Sequence, residues 1–393
     1  MSILPFERKL VEFVTKYRGI IFFAIITTLS VLIRTAGKDI IGGDMYSCLL
    51  PWFDEIRHYG GFWSLDRQVG NYNLLYQTFI AIFTYIDVNP VYQYKILSAV
   101  FDYGIAVVVS MYITELKGKE FFSGIFNTCY ATILFIPTVV LNSSYWGQCD
   151  AIYTFWAILS IISILNNKFF RGFAFFGIAL AFKLQAIFFL PIIICIYIIK
   201  RSFSMFNLVI SIMVFWFSGI VTFFFGRDIF AGFRIYTSQA DEYHWMYMNV
   251  PSFWVMVGDN YRDLSKMALY TFMILCVMMA YQIIRKRVPA SSDYAIWRIG
   301  AWFLWTCILF LPAMHERYSF ALDIVLILLA FMNMHNFGFA LIESLASTIT
   351  YGYFMYVNGE VNIPLAFIYF MAWIVYTLDL MNVRINLNKI FKE

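Results

Sequence analysis

Charge is what this sequence has least of. Asp, Glu, Lys and Arg make up 13% of its 393 residues, about half the share found in soluble globular domains. No stretch has the composition of a soluble domain, and 62% of the residues are hydrophobic, with 21% aromatic. Phosphate-cradling GxxxxGK[ST] and zinc-binding HExxH patterns are both missing, which leaves nucleotide-driven and zinc chemistry unsupported. No basic block exists to grip nucleic acid, so the net charge of +4 reads as loops facing an anionic leaflet. The six cysteines, Cys48, Cys129, Cys149, Cys195, Cys276 and Cys307, are scattered singly through apolar runs. That distribution suits core filling better than a disulfide framework or a metal site. No small-residue cleavage site follows the charged opening "MSILPFERKLVEFVTKYRG", which reads as an amphipathic cytosolic lead-in to a first span.

What the chain does have is apolar runs of about 20 residues, recurring from end to end. Their sidedness comes from the basic residues beside them, since Lys and Arg stay cytoplasmic. These cluster at Arg8, Lys9, Lys16 and Arg18; Lys117 and Lys119; Lys168 and Arg171; Lys200 and Arg201; Arg285, Lys286 and Arg287; and Arg384, Lys389 and Lys392. Placing them inside predicts spans near 19–35, 92–114, 121–140, 150–166, 205–225, 263–284, 296–312, 318–333, 337–357 and 362–382. Segment 172–199 begins and ends beside cytosolic charges, and a hairpin of two short helices bending near Lys183 and Gln185 satisfies that parity. The expected fold is therefore all-α: a single polytopic membrane domain over 1–393, with about twelve transmembrane helices and both termini cytoplasmic. External segments fall at 36–91, 141–149, 226–262, 313–317 and 358–361. The first is spaced for helices lying in the interface plane. Polar residues outside the basic clusters crowd this one face, so the chemistry is expected at the outer surface.

Four polar constellations stand out. In "IIGGDMYSCLLPWFDEI", Asp44 follows two glycines that would permit a sharp turn beside a ligand, or it would only cap the helix starting near Met45. Asp54, Glu55 and Asp66 read as solvated. In "NSSYWGQCDAIYTFW", Tyr145 and Trp146 fit an interfacial aromatic belt, while Gln148 and Asp150 pack extra polarity into a small turn where Asp150 would cap a helix. The sequon at Asn142 lies too close to a span to be a glycosylation site. In "ALAFKLQAIFFLP", Lys183 and Gln185 sit inside an apolar segment. A lysine at that depth costs about 2.5–3.5 kcal/mol unless paired or wet, so function is favoured over snorkelling. In "FLPAMHERYSFALD", His315, Glu316 and Arg317 occupy a very short turn. Arg offers a planar fork and His a further donor, both suited to phosphate oxygens, whereas a Glu316–Arg317 or Glu316–Lys183 ion pair would merely fasten helices. The loop at 226–262 adds Arg234, Gln239, Asp241, Glu242, His244 and aromatics that stack on sugars or anchor at interfaces.

Taken in order, an Asp early in a long first external loop, the "WGQCD" turn, the "KLQ" inside a short hairpin and "MHERY" resemble the GT-C superfamily of membrane glycosyltransferases. The likeness is nearest to bacterial proteins related to the second mannosyltransferase of GPI-anchor assembly. It is weaker to glucosyltransferases that use dolichyl-phosphate-glucose. The resemblance implies a GT-C fold in the plasma membrane and transfer of a hexose-type sugar from a polyprenyl-phosphate donor to a glycan or glycolipid hydroxyl. By the same resemblance Asp44 is the general base and His315 and Arg317 hold donor phosphate; Lys183 is expected to join them, and Trp146, Gln148, Asp150, Gln185, Glu316 and Tyr318 to shape the sugar and acceptor pocket. No cofactor and no metal are expected: the family's loop often carries a second acid, where this chain has Met45 and Tyr46. Two other classes stay open on the residues alone. One is a ligase or polymerase using a diphosphate-linked donor. The other is a lipid-linked sugar transporter or flippase lined by Lys183, Asp102 and Asp323, although no internal repeat is visible.

Overall fold

The computed structural model describes residues 4–240, 242–286, 288, 292–357, 359 and 361–382. Asp241, Arg287, Arg384, Lys389 and Lys392, along with part of the expected 358–361 loop, lie outside the described residues. The described residues are mostly helical, with almost no strand. The chain opens with α1 (Pro5–Ala36), then α2 (Leu50–His58) and α3 (Leu74–Phe83) within the first long loop, α4 (Pro90–Leu116), α5 (Gly124–Phe135), α6 (Pro137–Val140) and α7 (Asp150–Leu165). There follow α8 (Phe169–Phe182), α9 (Leu190–Lys200), α10 (Leu208–Phe217), α11 (Ile220–Phe224) and α12 (Ala231–Ala240). The last five are α13 (Tyr261–Ile284), α14 (Asp293–Phe310), α15 (Phe320–Met332), α16 (Phe337–Gly352) and α17 (Ile363–Leu380).

Among the described residues, α1, α4, α13 and α17 are each long and apolar enough to cross a membrane, and a bent pair beginning at α5 makes a fifth candidate. The other expected spans fall on helices that are shorter or less apolar, among them α7, α14, α15 and α16. Segment 121–140 is not one straight helix: Gly124–Phe135 and Pro137–Trp146 meet at 59°. The cause is local. Ile136, preceding a proline, takes φ −59° and ψ 130°, the extended conformation that the Pro137 ring imposes on its neighbour.

Segment 172–199 breaks where the sequence suggested. Lys183 leaves the helix at φ −153°, ψ 137°, and a tight turn over Leu184–Phe189 leads into α9. Pro191 stands in the first turn of α9, where its missing N–H costs nothing. The first long loop differs from a simple interfacial layer. Tyr76, Ile80 and Ala81 of α3 are fully buried and belong to the main core.

Apolar burial drives the packing. One continuous core runs from Met45 to Leu380, and α15 is buried along almost its whole length between its neighbours. The two ends of the bundle carry different polar groups. At one end Lys200 pairs with Asp293 at 3.0 Å, Arg298 and His335 meet Asp379, and Lys117 Nζ donates to the Met332 carbonyl. These come from segments expected to face the cytosol. At the other end, the segments holding Asp44, Gln148 and His315 gather around a cavity.

Candidate functional site

The cavity measures about 860 Å³ and is walled by residues from six separated stretches of chain, one of them represented by Phe354 alone. From the first loop come Asp44, Trp52 and Tyr72; from the turn before α7, Gln148; from the break after α8, Lys183 and Gln185; from the second large loop, Tyr243; and from the last turn, His315, Glu316, Arg317 and Tyr318.

Asp44 is held from two directions. Its carboxylate accepts from Gln148 Nε2 at 2.7 Å and lies 3.3 Å from Arg317 Nη1. It makes no capping bond to the helical turn it begins, so the capping reading of the sequence does not apply. Neither glycine before it adopts a positive φ. The segment is gripped instead by adjacent residues of α4. Lys95 Nζ donates to the carbonyls of Gly37, Lys38 and Ile40, while Tyr94 Oη donates to the carbonyl of Leu49. An ammonium has three N–H donors, and all three are used on carbonyls of the turn just past the end of α1, where the helix dipole favours a cation.

Gln148 stands at the right height because Gly147 precedes it in the left-handed region at φ 80°. A Cβ there would strike Met45 Cε at 2.4 Å. Tyr72 Oη donates to Gln148 Oε1 at 3.2 Å, which fixes the amide with its N–H groups toward Asp44. Burial raises the Tyr72 phenol well above its ordinary value, so it remains a donor.

Asp150 also fails to cap. It opens α7 with both oxygens engaged, one by Lys183 Nζ at 2.6 Å and the other by Asn142 Nδ2 at 3.1 Å. Lys183 and Asp150 are 6% and 0% exposed, so the lysine is neutralised by an acid rather than snorkelling. Asn142 is fully buried and also bonds Tyr351, which rules out glycosylation there. Trp146 does not reach the cavity wall. It is buried behind it, 5.3 Å from the Arg317 guanidinium and edge-on to Tyr351.

The last turn is braced by a feature no helix-based reading contains. Tyr247–Met248 (β1) pairs in parallel with Met314–His315 (β2), and Ala313 N donates to the Trp245 carbonyl at 3.0 Å. Ala313 itself sits at φ 57°, a costly conformation for a non-glycine residue that surrounding structure must enforce. So braced, Arg317 Nη1 reaches Glu316 Oε1 at 3.0 Å as well as Asp44. The expected alternative pairing of Glu316 with Lys183 is not formed: Lys183 is committed to Asp150.

Electrostatics set the protonation states. Burial, with Arg317 and Lys183 nearby, holds His315 well below its ordinary value. The ring is therefore neutral at physiological pH and acts as a hydrogen-bonding group, not a second cation. Burial pushes the Glu316 carboxyl up to about 7 despite Arg317. Arg317 stays charged beside Glu316 and Asp44. Among the described residues, three buried polar atoms here have no hydrogen-bond partner: His315 Nε2, Glu316 Oε2 and Arg317 Nε.

Sequence reasoning missed Tyr72, Tyr243 and Trp52. Aromatics are so common in this chain that nothing marked these three. Among the described residues, no three His, Cys, Asp or Glu side chains gather to hold a metal ion. Cys48 lines the cavity as a free thiol, and Cys129, Cys149, Cys195 and Cys307 are buried and unbridged. Asp102 and Asp323 lie elsewhere. Asp102 is closed off by Arg34 at 3.0 Å, and Asp323 accepts from Thr138 and Ser344. Comparison with known proteins found no matching family model and no matching curated protein.

Proposed function

We propose that this chain is a membrane glycosyltransferase of GT-C architecture, with about twelve spans by charge placement and its cavity on the outer face. It transfers a hexose-type sugar, with inversion, from a polyprenyl-phosphate donor to a glycan or glycolipid hydroxyl, in a plasma membrane and, by the resemblance, a bacterial one. The observation carrying this reading is the set of three buried atoms on His315, Glu316 and Arg317 that have no hydrogen-bond partner among the described residues, on a cavity shared with the Asp44 carboxylate. Each unmet buried hydrogen-bonding group costs about 1–3 kcal/mol, and a phosphoryl oxygen satisfies an arginine Nε–H and an imidazole N–H together.

Chemistry follows from the arrangement. The acceptor hydroxyl loses its proton to Asp44 as its oxygen bonds the anomeric carbon, and the bond from that carbon to the phosphate oxygen breaks. The lipid phosphate departs as an anion beside Arg317, whose fixed charge stabilises it more in the transition state than in the ground state. One displacement with one base inverts the anomeric centre. The paired Lys183 contributes by fixing Asp150 and the turn that bears Gln148. A transport path through Lys183, Asp102 and Asp323 is less well served, because two of those acids lie outside the cavity with protein partners of their own.

The test is transfer of mannose from undecaprenyl-phosphate mannose by purified protein. Asp44→Asn is expected to lower turnover by about 10²- to 10⁴-fold, and Arg317→Ala to lower turnover while raising the donor KM. Wild-type turnover in folded Asp44→Asn, or donor accumulation in sealed vesicles without a glycosidic product, overturns the assignment.

A further inference from the structure

A second cavity of about 680 Å³ opens beside the first, between the first loop and α12. The two share three lining residues, Asn71, Gln239 and Glu242. Those residues are bonded to one another across the loops. Asn71 Nδ2 donates to both Glu242 oxygens, at 2.8 and 3.1 Å, and Gln239 donates to the Asn71 carbonyl. The partition between the cavities is thus a few side chains, one of them exposed.

Lining chemistry tells the two cavities apart. The outer one has Gln68, Ser238 and Gln239 as neutral donors and acceptors, alongside Asp66, Asp228 and Glu242. Its two cations are already engaged, Arg234 by Asp228 at 2.7 Å and Arg227 by Gln68. Asp66 is itself engaged by Arg67 at 2.8 Å, so carboxylates and guanidiniums balance around the pocket and leave no excess positive charge to draw a phosphate or any acidic group. Amides, a hydroxyl and carboxylates in one pocket suit the alternating donors and acceptors of sugar hydroxyls.

Resting on the glycosyltransferase reading, we propose that this outer cavity is the acceptor subsite, and that it takes an uncharged, hydroxyl-rich glycan chain whose terminal hydroxyl passes the Asn71–Glu242 partition to reach Asp44. Hydroxyls of the incoming chain replace Asn71 as the donors to Glu242. Acceptors longer than one sugar are bound by the outer cavity, and single sugars are not.

Ser238 lines the outer cavity alone and is exposed, so Ser238→Trp fills it without burying a polar group in the core. The probes are octyl mannoside and octyl mannotetraoside, each assayed with undecaprenyl-phosphate mannose. The readout is the ratio of kcat/KM for the tetrasaccharide to that for the monosaccharide. Wild type is expected to favour the tetrasaccharide, and Ser238→Trp to cut the ratio tenfold or more. An unchanged ratio with transfer intact overturns the subsite alone. No transfer by wild type to either probe or to water overturns the glycosyltransferase reading, and the subsite with it.

Discussion

Gln148 Nε2 and Asp44 Oδ2 are 2.7 Å apart although 104 residues separate them in sequence. The amide is itself oriented by Tyr72, so the carboxylate's direction depends on a residue that cannot exchange a proton in its place.

Replacing that amide with an acid sets two carboxylates face to face. Gln148→Glu is expected to slow transfer by about 10- to 100-fold, the equivalent of roughly 1–3 kcal/mol for a lost bond and an unmatched group. Initial rates against donor concentration check this, with kcat falling more than KM changes.

Lys183 and Asp150 form a buried pair, and removing one partner strands the other. Lys183→Met or Asp150→Leu alone is expected to cost about 3–5 kcal/mol, while the double variant recovers much of the loss. Thermal denaturation in detergent gives the comparison. A double variant as unstable as the sum of the singles contradicts the pairing.

Stability should depend on pH in two opposite senses at the last turn. Glu316 is pushed up to about 7, so its contribution is complete below the unfolded value of about 4.5 and is lost as pH rises through 7. His315 is held below its ordinary value. Its contribution is present above pH of about 6.5 and is lost as pH falls from there. Glu316→Gln should flatten the decline on the alkaline side and leave the acid-side decline, as read from melting temperature between pH 4.5 and 8.

Lys95 supplies three hydrogen bonds to the turn that leads to Asp44. In Lys95→Met those carbonyls lose their donors at about 1–3 kcal/mol each. Faster hydrogen exchange over residues 37–44 is expected, with kcat reduced and donor KM within about twofold, since the turn proposed to hold the donor phosphate is untouched. Unaltered exchange there would show that the turn is held by other contacts.

Much of the site was legible because membrane depth makes polar residues conspicuous. Lys183, Asp150 and the His315–Arg317 turn stood out against apolar flanks, and the helix does break at Lys183. Partners were harder to read. Asp150 resembled a cap because acids at helix starts usually are caps, yet its charge is balanced by a lysine 33 positions away. Trp146 was expected in the pocket, but composition carries no sign of which face a ring turns, and it lies behind Arg317. Span 121–140 read as straight because its hydropathy is continuous; Pro137 was the available signal for its bend. The β1–β2 pair, two residues long, is too short for any periodicity to reveal.

Helix α1 runs for 32 residues from Pro5 to Ala36, about 48 Å at 1.5 Å per residue. Its far end is pinned near the cavity, with Arg34 bound to Asp102 and the Gly37 carbonyl bound to Lys95. A hydrocarbon layer of about 30 Å takes up only part of that length. On the proposed topology, the first three turns, with Arg8 and Lys9 on them and Lys16 and Arg18 just beyond, stand clear of the lipid tails on the side opposite the cavity. On that topology α1 is a strut of fixed length anchored at its cavity end, and the thickness and charge of the opposite leaflet act on the same rigid piece that leads into the turn before Asp44.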